Sequence, residues 1–152
     1  DALIMDADVL FHPAILERLV ASPHANAFLL DRGFEPGDEP VKIAVAAGRM
    51  VEFRKALAPG LRYDELGESV GFFKFDGDTC RAIEAACRAY DAAGKGDAPH
   101  EEVLRDLLLA DTGRYGYEDV TGLPWLEVDF PEDVGRAEQK ILPAIMADRS
   151  DF

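Results

Sequence analysis

Three short stretches combine residue types that could do chemistry. The first is Asp6-Ala7-Asp8, which ends the apolar run Ala2–Met5. Ligands in open α/β sheets gather beyond the carboxyl ends of the strands. Two carboxylates there repel unless a cation or solvent separates them, so the pair points either to a Mg²⁺ site or to caps on the loop and the helix that follows. The second stretch is Trp125-Leu126-Glu127-Val128-Asp129-Phe130-Pro131-Glu132-Asp133. Strand alternation would put Trp125, Glu127 and Asp129 on one face and Leu126, Val128 and Phe130 on the other. An aromatic ring and two carboxylates on one face suit a cleft, or the polar side of an edge strand. Glu132 and Asp133 fall in a first helical turn, where acids are ordinary partners of the helix dipole. The third stretch is Glu52-Phe53-Arg54-Lys55, a strand end with two cations in an acidic chain. It could hold a phosphate or simply balance nearby acids.

Other candidates carry less. His12, His24 and His100 show no metal-ligand spacing and read as surface or capping residues, and Cys80 and Cys87, seven apart on a predicted helix, read as core. Neither GxGxxG nor GxxxxGK[ST] occurs, and there is no GxSxG nucleophile motif.

The elements that must position these residues follow from apolar spacing. Residues 2–5 form a buried strand pattern that stops at acids. Pro13 opens a helix in which Ile15, Leu16, Leu19 and Val20 recur at helical spacing, closed by Ser22-Pro23, and residues 27–30 form the next strand. Strand, helix, strand favours a parallel α/β sheet with a crossover helix. Gly33, Pro36, Gly37 and Pro40 mark a loop over residues 32–40. Residues 41–45 and 50–53 read as a hairpin, and 68–75 as a further strand. Residues 79–93 predict a helix with Cys80, Ile83, Ala86, Cys87 and Tyr90 on one face, ended by Gly94 and Gly96. Pro99 opens another helix to about Ala110, 115–120 and 125–130 are strands, and Pro131 starts a last helix with Val134, Ala137, Ile141 and Ile145 on one side. The expected architecture is one α/β domain over residues 1–152, a mixed but mostly parallel sheet flanked by helices.

Composition narrows the function. The 152 residues carry 30 acidic against 16 basic side chains, a net charge of -14, which argues against a broad nucleic-acid or anionic-membrane surface. A local basic phosphate site and bound divalent cations remain compatible with it. Hydrophobic residues make up 48% of the chain, enough for a packed core rather than a disordered acidic tail. No run approaches a membrane span of roughly 18–20 apolar residues, the opening DALIMDADVLF lacks a basic leader region, and two cysteines suit a reducing cytoplasm.

Taken in order, IMDADVLF, VEFRKAL, GESVGFF and GLPWLEVDFPEDV resemble the sugar-phosphate nucleotidyltransferase superfamily. The nearer likeness is to bacterial phosphocholine cytidylyltransferases, where WxE[IV]DxPED is characteristic. The resemblance implies a Rossmann-like nucleotidyltransferase fold, of which this chain would be the C-terminal, metal- and acceptor-binding part. The family's Gly-rich GxGxR loop, which grips the triphosphate, has no counterpart here, so the nucleotide-binding half is expected to be missing upstream. By the same resemblance Asp8 and Asp129 hold Mg²⁺, Lys55 (or its neighbour Arg54) contacts the acceptor phosphate, and Glu68 and Gly71 belong to the acceptor pocket. CTP is the implied donor and phosphocholine the implied acceptor. A quaternary ammonium needs aromatic faces and carboxylates, which Trp125 and Glu127 supply, with Phe72 or Phe73 as additions or as plain core. Two other readings start from the same residues. An apolar strand before DxD also resembles haloacid dehalogenase phosphatases, with Asp6 as nucleophile, Asp8 as acid/base and Ser69 and Lys74 as partners. An acidic α/β remnant could also bind a phosphorylated ligand without turnover.

Overall fold

The computed structural model describes residues 1–35, 37 and 39–148; Pro36, one of the loop markers above, lies outside them. The strands are β1 (Ala2–Met5), β2 (Val9–Phe11), β3 (Ala27–Asp31), β4 (Lys42–Ala46), β5 (Arg49–Arg54), β6 (Glu65–Phe75), β7 (Gly116–Asp119) and β8 (Trp125–Glu127). The helices are α1 (Pro13–Ala21), α2 (Gly77–Ala92), α3 (His100–Ala110), α4 (Pro131–Arg136) and α5 (Leu142–Asp148), the last two joined by a π-helical turn over Ala137–Ile141. No helix among the described residues is long and apolar enough to cross a membrane.

β3 shows how the sequence pattern becomes a core. All five of its residues are buried, as expected of a strand covered on both faces. Alternation sends Phe28 and Leu30 into one cluster with Phe53, Phe73, Leu104 and Leu108. It sends Ala27 and Leu29 into another with Ile15, Leu19, Phe72 and Val120. α3 therefore seals one face of the sheet and α1 the other, and burying one such phenylalanine stabilises by roughly 1.5–3 kcal/mol. The hairpin between β4 and β5 turns through Ala47 and Gly48, both at positive φ (49° and 73°), the conformation that a two-residue hairpin turn requires.

The sheet is mixed and flanked by helices, as expected, but it is not mostly parallel. In the order β5-β4-β6-β3-β7, only β3 and β7 run parallel among the described residues; β4–β5, β4–β6, β3–β6 and β1–β6 are antiparallel. The opening strand–helix–strand unit does give two strands of like direction, β1 and β3. β6 inserts between them, however, because Lys74 is the register partner of both Leu3 and Ala27. Other departures are local. β2 is a strand that short-range patterning misses, β6 begins at Glu65 rather than Glu68, and β8 stops at Glu127. Cys87 is exposed rather than core, and Val134 faces out while Ala137 and Ile145 are buried.

α3 is tied to β5 by a buried ion pair. Arg105 Nε and Nη2 donate to Glu52 Oε1 and Oε2 at 2.6 and 2.8 Å, and Glu52 is 6% exposed. The Arg105 hydrogen bonds hold the Glu52 carboxyl below its ordinary range against the opposing effect of burial. Removing the partner strands a buried charge. Arg105→Leu is expected to cost about 3 kcal/mol in urea unfolding, the low end for such pairs because Arg105 keeps some solvent contact. With the pair intact, the Glu52 contribution is present above the ordinary carboxylate pKa and is lost as pH falls through the depressed value. In Arg105→Leu that acid-side loss should shrink; an unchanged acid limb of the stability curve would refute the assignment.

Candidate metal and acceptor site

The site lies at a fork in the sheet. β6 is 11 residues long, and two strands share its one edge in tandem. β4 pairs with residues 65–68 and β1 with 72–75, while β3 occupies the opposite edge. The two ladders end at Ser69, whose N–H donates to the Val41 carbonyl at 2.8 Å, and at Gly71, whose carbonyl accepts the Asp6 N–H at 3.1 Å. The chain opens between them. Gly71 has φ +77°, and a Cβ there would overlap the Asp6 carboxylate. Glycine thus permits both the bend in β6 and the seat of Asp6.

A second, two-stranded ladder brings distant acids together. β2 pairs with β8 through Val9–Glu127, Leu10–Leu126 and Phe11–Trp125. The ladder continues as the Val128 N–H donating to the Asp8 carbonyl at 2.9 Å. One carboxylate oxygen each from Asp8, Glu127 and Asp129 therefore lies within 4.8 Å of the others. Asp129 enters the last helix under restraint: the Asp133 carboxylate, 7% exposed, accepts the N–H of Asp129 at 3.2 Å and of Phe130 at 2.9 Å.

Two cavities meet at these acids. The larger, about 600 Å³, is lined by Asp31, Phe34, Glu68, Trp125 and Phe130 among others; the smaller, about 80 Å³, by Asp6, Lys55, Ser69, Gly71 and His100. Glu39, Glu127 and Asp129 line both. Trp125 is fixed across the end of β3, its indole N–H donating to Asp31 Oδ2 at 2.7 Å. Lys55 Nζ donates to Glu39 Oε2 at 3.0 Å.

The acids outnumber the cations, and their proton affinities record it. Burial pushes the Glu68 carboxyl up to about 7, with Glu127 and Asp31 adding to the effect and Lys42 opposing it. Burial also raises Glu127 to about 7, reinforced by Asp129, Asp8 and Asp6 and opposed by Lys55. Asp6 is raised by burial too, against the pull of His100. A site in which carboxyls resist ionisation is one that a cation would relieve. Three carboxylate oxygens form a hard donor set, and opposite ligands of an oxygen-bound divalent ion stand roughly 4–5 Å apart. The residues present therefore fit such an ion.

Asp8, Asp129, Glu127, Lys55, Glu68, Gly71 and Trp125, picked out in the sequence, all line this region or border it. Glu127 joins the carboxylate set in addition to facing the larger cavity. Arg54 points elsewhere, with Nε and Nη2 on the Glu102 carboxylate at 2.9 and 3.0 Å. Phe72 and Phe73 are core, at 0% and 1% exposure; of the two, Phe73 borders the smaller cavity. Lys74 donates to the carbonyls of Val20 and Ser22 at the end of α1, so it does not serve Asp6 as the phosphatase reading needs. Sequence reasoning missed Asp31, Glu39 and His100. The strand-end rule that flagged Asp6 and Asp8 would also have flagged Asp31. His100 reaches the site, with Nε2 3.8 Å from Asp6 Oδ1, because α3 is docked by Leu104 and Leu108 in the core and by the Glu52–Arg105 pair. For Glu39, in a loop, the sequence holds no signal.

Comparison with known proteins follows the same line. No family model matches the chain. Over 146 residues (94% of the chain) it is 27% identical to the CMP-5'-(3-aminopropyl)phosphonate synthase of Streptomyces rubellomurinus, and covers 23% of that protein. Over 108 residues (71% of the chain) it is 33% identical to the bifunctional IPC transferase and DIPP synthase of Rubrobacter xylanophilus, and covers 22% of it. The solved inositol-1-phosphate CTP transferase from T. maritima superposes with a TM-score of 0.68 at 18% identity, over 94% of this chain and 55% of that one. The chain thus shares the fold of that solved transferase and spans less than a quarter of the length of these curated relatives. The likenesses support a relationship to nucleotidyltransferases and do not single out the phosphocholine group.

Two outcomes test the site. Glu68 and Glu127 bind protons more tightly when folded, so stability should fall as pH rises from about 4.5 towards 7. Melting temperatures in chelator should show that decline, Mg²⁺ should offset it most near the upper end, and Glu127→Gln should flatten it. A chain that gains stability across this window refutes the reading. Separately, Gly71→Ala should lose about 1–2 kcal/mol through its positive φ alone, and truncating Asp6 in the same chain should recover only part of the loss.

Proposed function

We propose that this chain takes part in transferring a cytidylyl group from CTP to a small phosphorylated acceptor, with release of pyrophosphate. The observation that carries the reading is the convergence of Asp8, Glu127 and Asp129 next to Lys55, at the mouth of an acid-lined cleft. Asp8, Asp129 and Glu127 are the residues that would hold Mg²⁺. When bound, the ion would supply positive charge against the phosphate oxygens of the donor. Lys55 offers its ammonium to the acceptor phosphate, which attacks the α-phosphorus of CTP. The new P–O bond forms as the bond to the β-phosphate oxygen breaks, and the electron pair leaves with pyrophosphate. No protein nucleophile is needed.

The larger cavity supports an acceptor whose other end is a cationic amine. Glu68, Glu127 and the ring of Trp125 line it, and a half-buried carboxyl that resists ionisation gains from a cationic ligand. Phosphocholine fits this description, with Trp125 and Glu68 against the ammonium, while Glu127 stays with the metal set. The Streptomyces relative is named for an aminopropylphosphonate, a molecule of the same kind: a phosphorus oxyanion at one end and an amine at the other.

With CTP, phosphocholine and Mg²⁺, the chain is expected to release pyrophosphate and form CDP-choline. Asp129→Asn should slow turnover by at least about 100-fold, and Lys55→Ala should act mainly through the acceptor KM. Saturable CDP-choline binding without turnover would instead mark a ligand-binding unit. Neither turnover nor Mg²⁺-dependent heat on titration with CDP-choline would reject the proposal.

A further inference from the structure

Lys55 is the one lysine lining the smaller cavity among the described residues, and its Nζ already carries a carboxylate, Glu39 Oε2 at 3.0 Å. Glu39 stands where the two cavities meet, between the cleft that would take the acceptor's body and the ammonium that would take its phosphate. The contact is held rather than incidental. Lys42 Nζ donates to the carbonyls of Gly37 and Pro40 on one side and of Lys55 on the other, at 2.7, 3.3 and 2.7 Å. That one ammonium fastens the loop carrying Glu39 to the segment carrying Lys55. Yet the pair itself is exposed, 53% at Lys55 and 71% at Glu39, and exposed ion pairs contribute little and exchange readily.

We propose that Glu39 is an exchangeable counter-ion, which holds Lys55 until a phosphorylated ligand replaces it. The proposal rests on the reading of Lys55 as the acceptor-phosphate contact. In a site dominated by carboxylates, an unpaired Lys55 would attract any acid. With Glu39 seated, a monoanionic carboxylate gains nothing by displacing one carboxylate with another. A dianionic phosphate brings a second charge and three oxygens, and can displace it. Glu39 thereby sets a threshold of ligand charge for occupying Lys55, a specificity role exerted at the cost of some affinity.

The experiment is calorimetric titration of the chain with inorganic phosphate, and separately with acetate, in the parent, Glu39→Gln, Lys55→Gln and the double variant. Glu39→Gln should bind phosphate about 2- to 5-fold more tightly, the range an exposed pair can withhold. Its preference for phosphate over acetate should narrow, and both variants lacking Lys55 should lose phosphate binding. Unchanged or weaker phosphate affinity in Glu39→Gln overturns the proposal. So does the absence of measurable binding in both parent and Glu39→Gln, since Lys55 would then hold no anion. Because this readout needs neither CTP nor turnover, a failed pyrophosphate assay alongside a tightened Glu39→Gln would reject the transferase reading while leaving the counter-ion role standing.

Discussion

The opening at the site exists because two strands have to share one edge of β6. β4 and β1 both pair antiparallel to it, and between their ends lie only Ser69, Val70 and Gly71. Backbone groups that would have continued a ladder turn instead to Val41 and Asp6. The chain cannot stay regular there, and the irregularity is where polar side chains can enter a sheet otherwise sealed on both faces. Gly71 lets the strand bend, and Asp6 fills the space that its missing side chain leaves. A straight, evenly paired β6 would have no cavity at this point.

The electrostatics follow from what the fork admits. Acids arrive from β1, β3, β6, β8 and the loop before β4, while Lys55 and Lys42 are the nearby lysines. Each is spoken for: Lys42 by backbone carbonyls, Lys55 by Glu39. The protein meets part of the imbalance by keeping protons on carboxyls that would ordinarily lose them. Carboxylates crowded in this way are under electrostatic tension that a cationic ligand would relieve.

What could be read from the sequence, and what could not, divides along contact range. Runs set by local spacing appear close to where expected: β1, α1, β3, the β4–β5 hairpin, α2 and α3. The acids of DAD and of WLEVD were legible because charge at the end of an apolar strand is costly unless used. The sheet's direction was not legible, because nothing local announces that β6 slips between β1 and β3. Three-residue β2 has too few positions to show a period. Arg54 and Lys55 look alike in sequence; they part only because α3 brings Glu102 to one and the loop brings Glu39 to the other. Phe72 and Phe73 adjoin the site along the chain, but opposite pleats carry them into separate cores.

The β2–β8 ladder has a kinetic side. Its three pairs join segments more than 110 residues apart, and a two-stranded ribbon stands only by packing, here of Val9, Phe11 and Trp125 against the core under α1. Closing so long a loop is entropically costly and must await the larger sheet, so Asp8 should meet Asp129 late in folding. The same ladder is then the natural first place to open from the native state. Anything that bridges its two strands closes that opening, and by linkage a chain whose ladder frays holds such a bridge less well. The carboxylate set thus doubles as a clasp, joining the occupancy of the site to the order of the segments that build it.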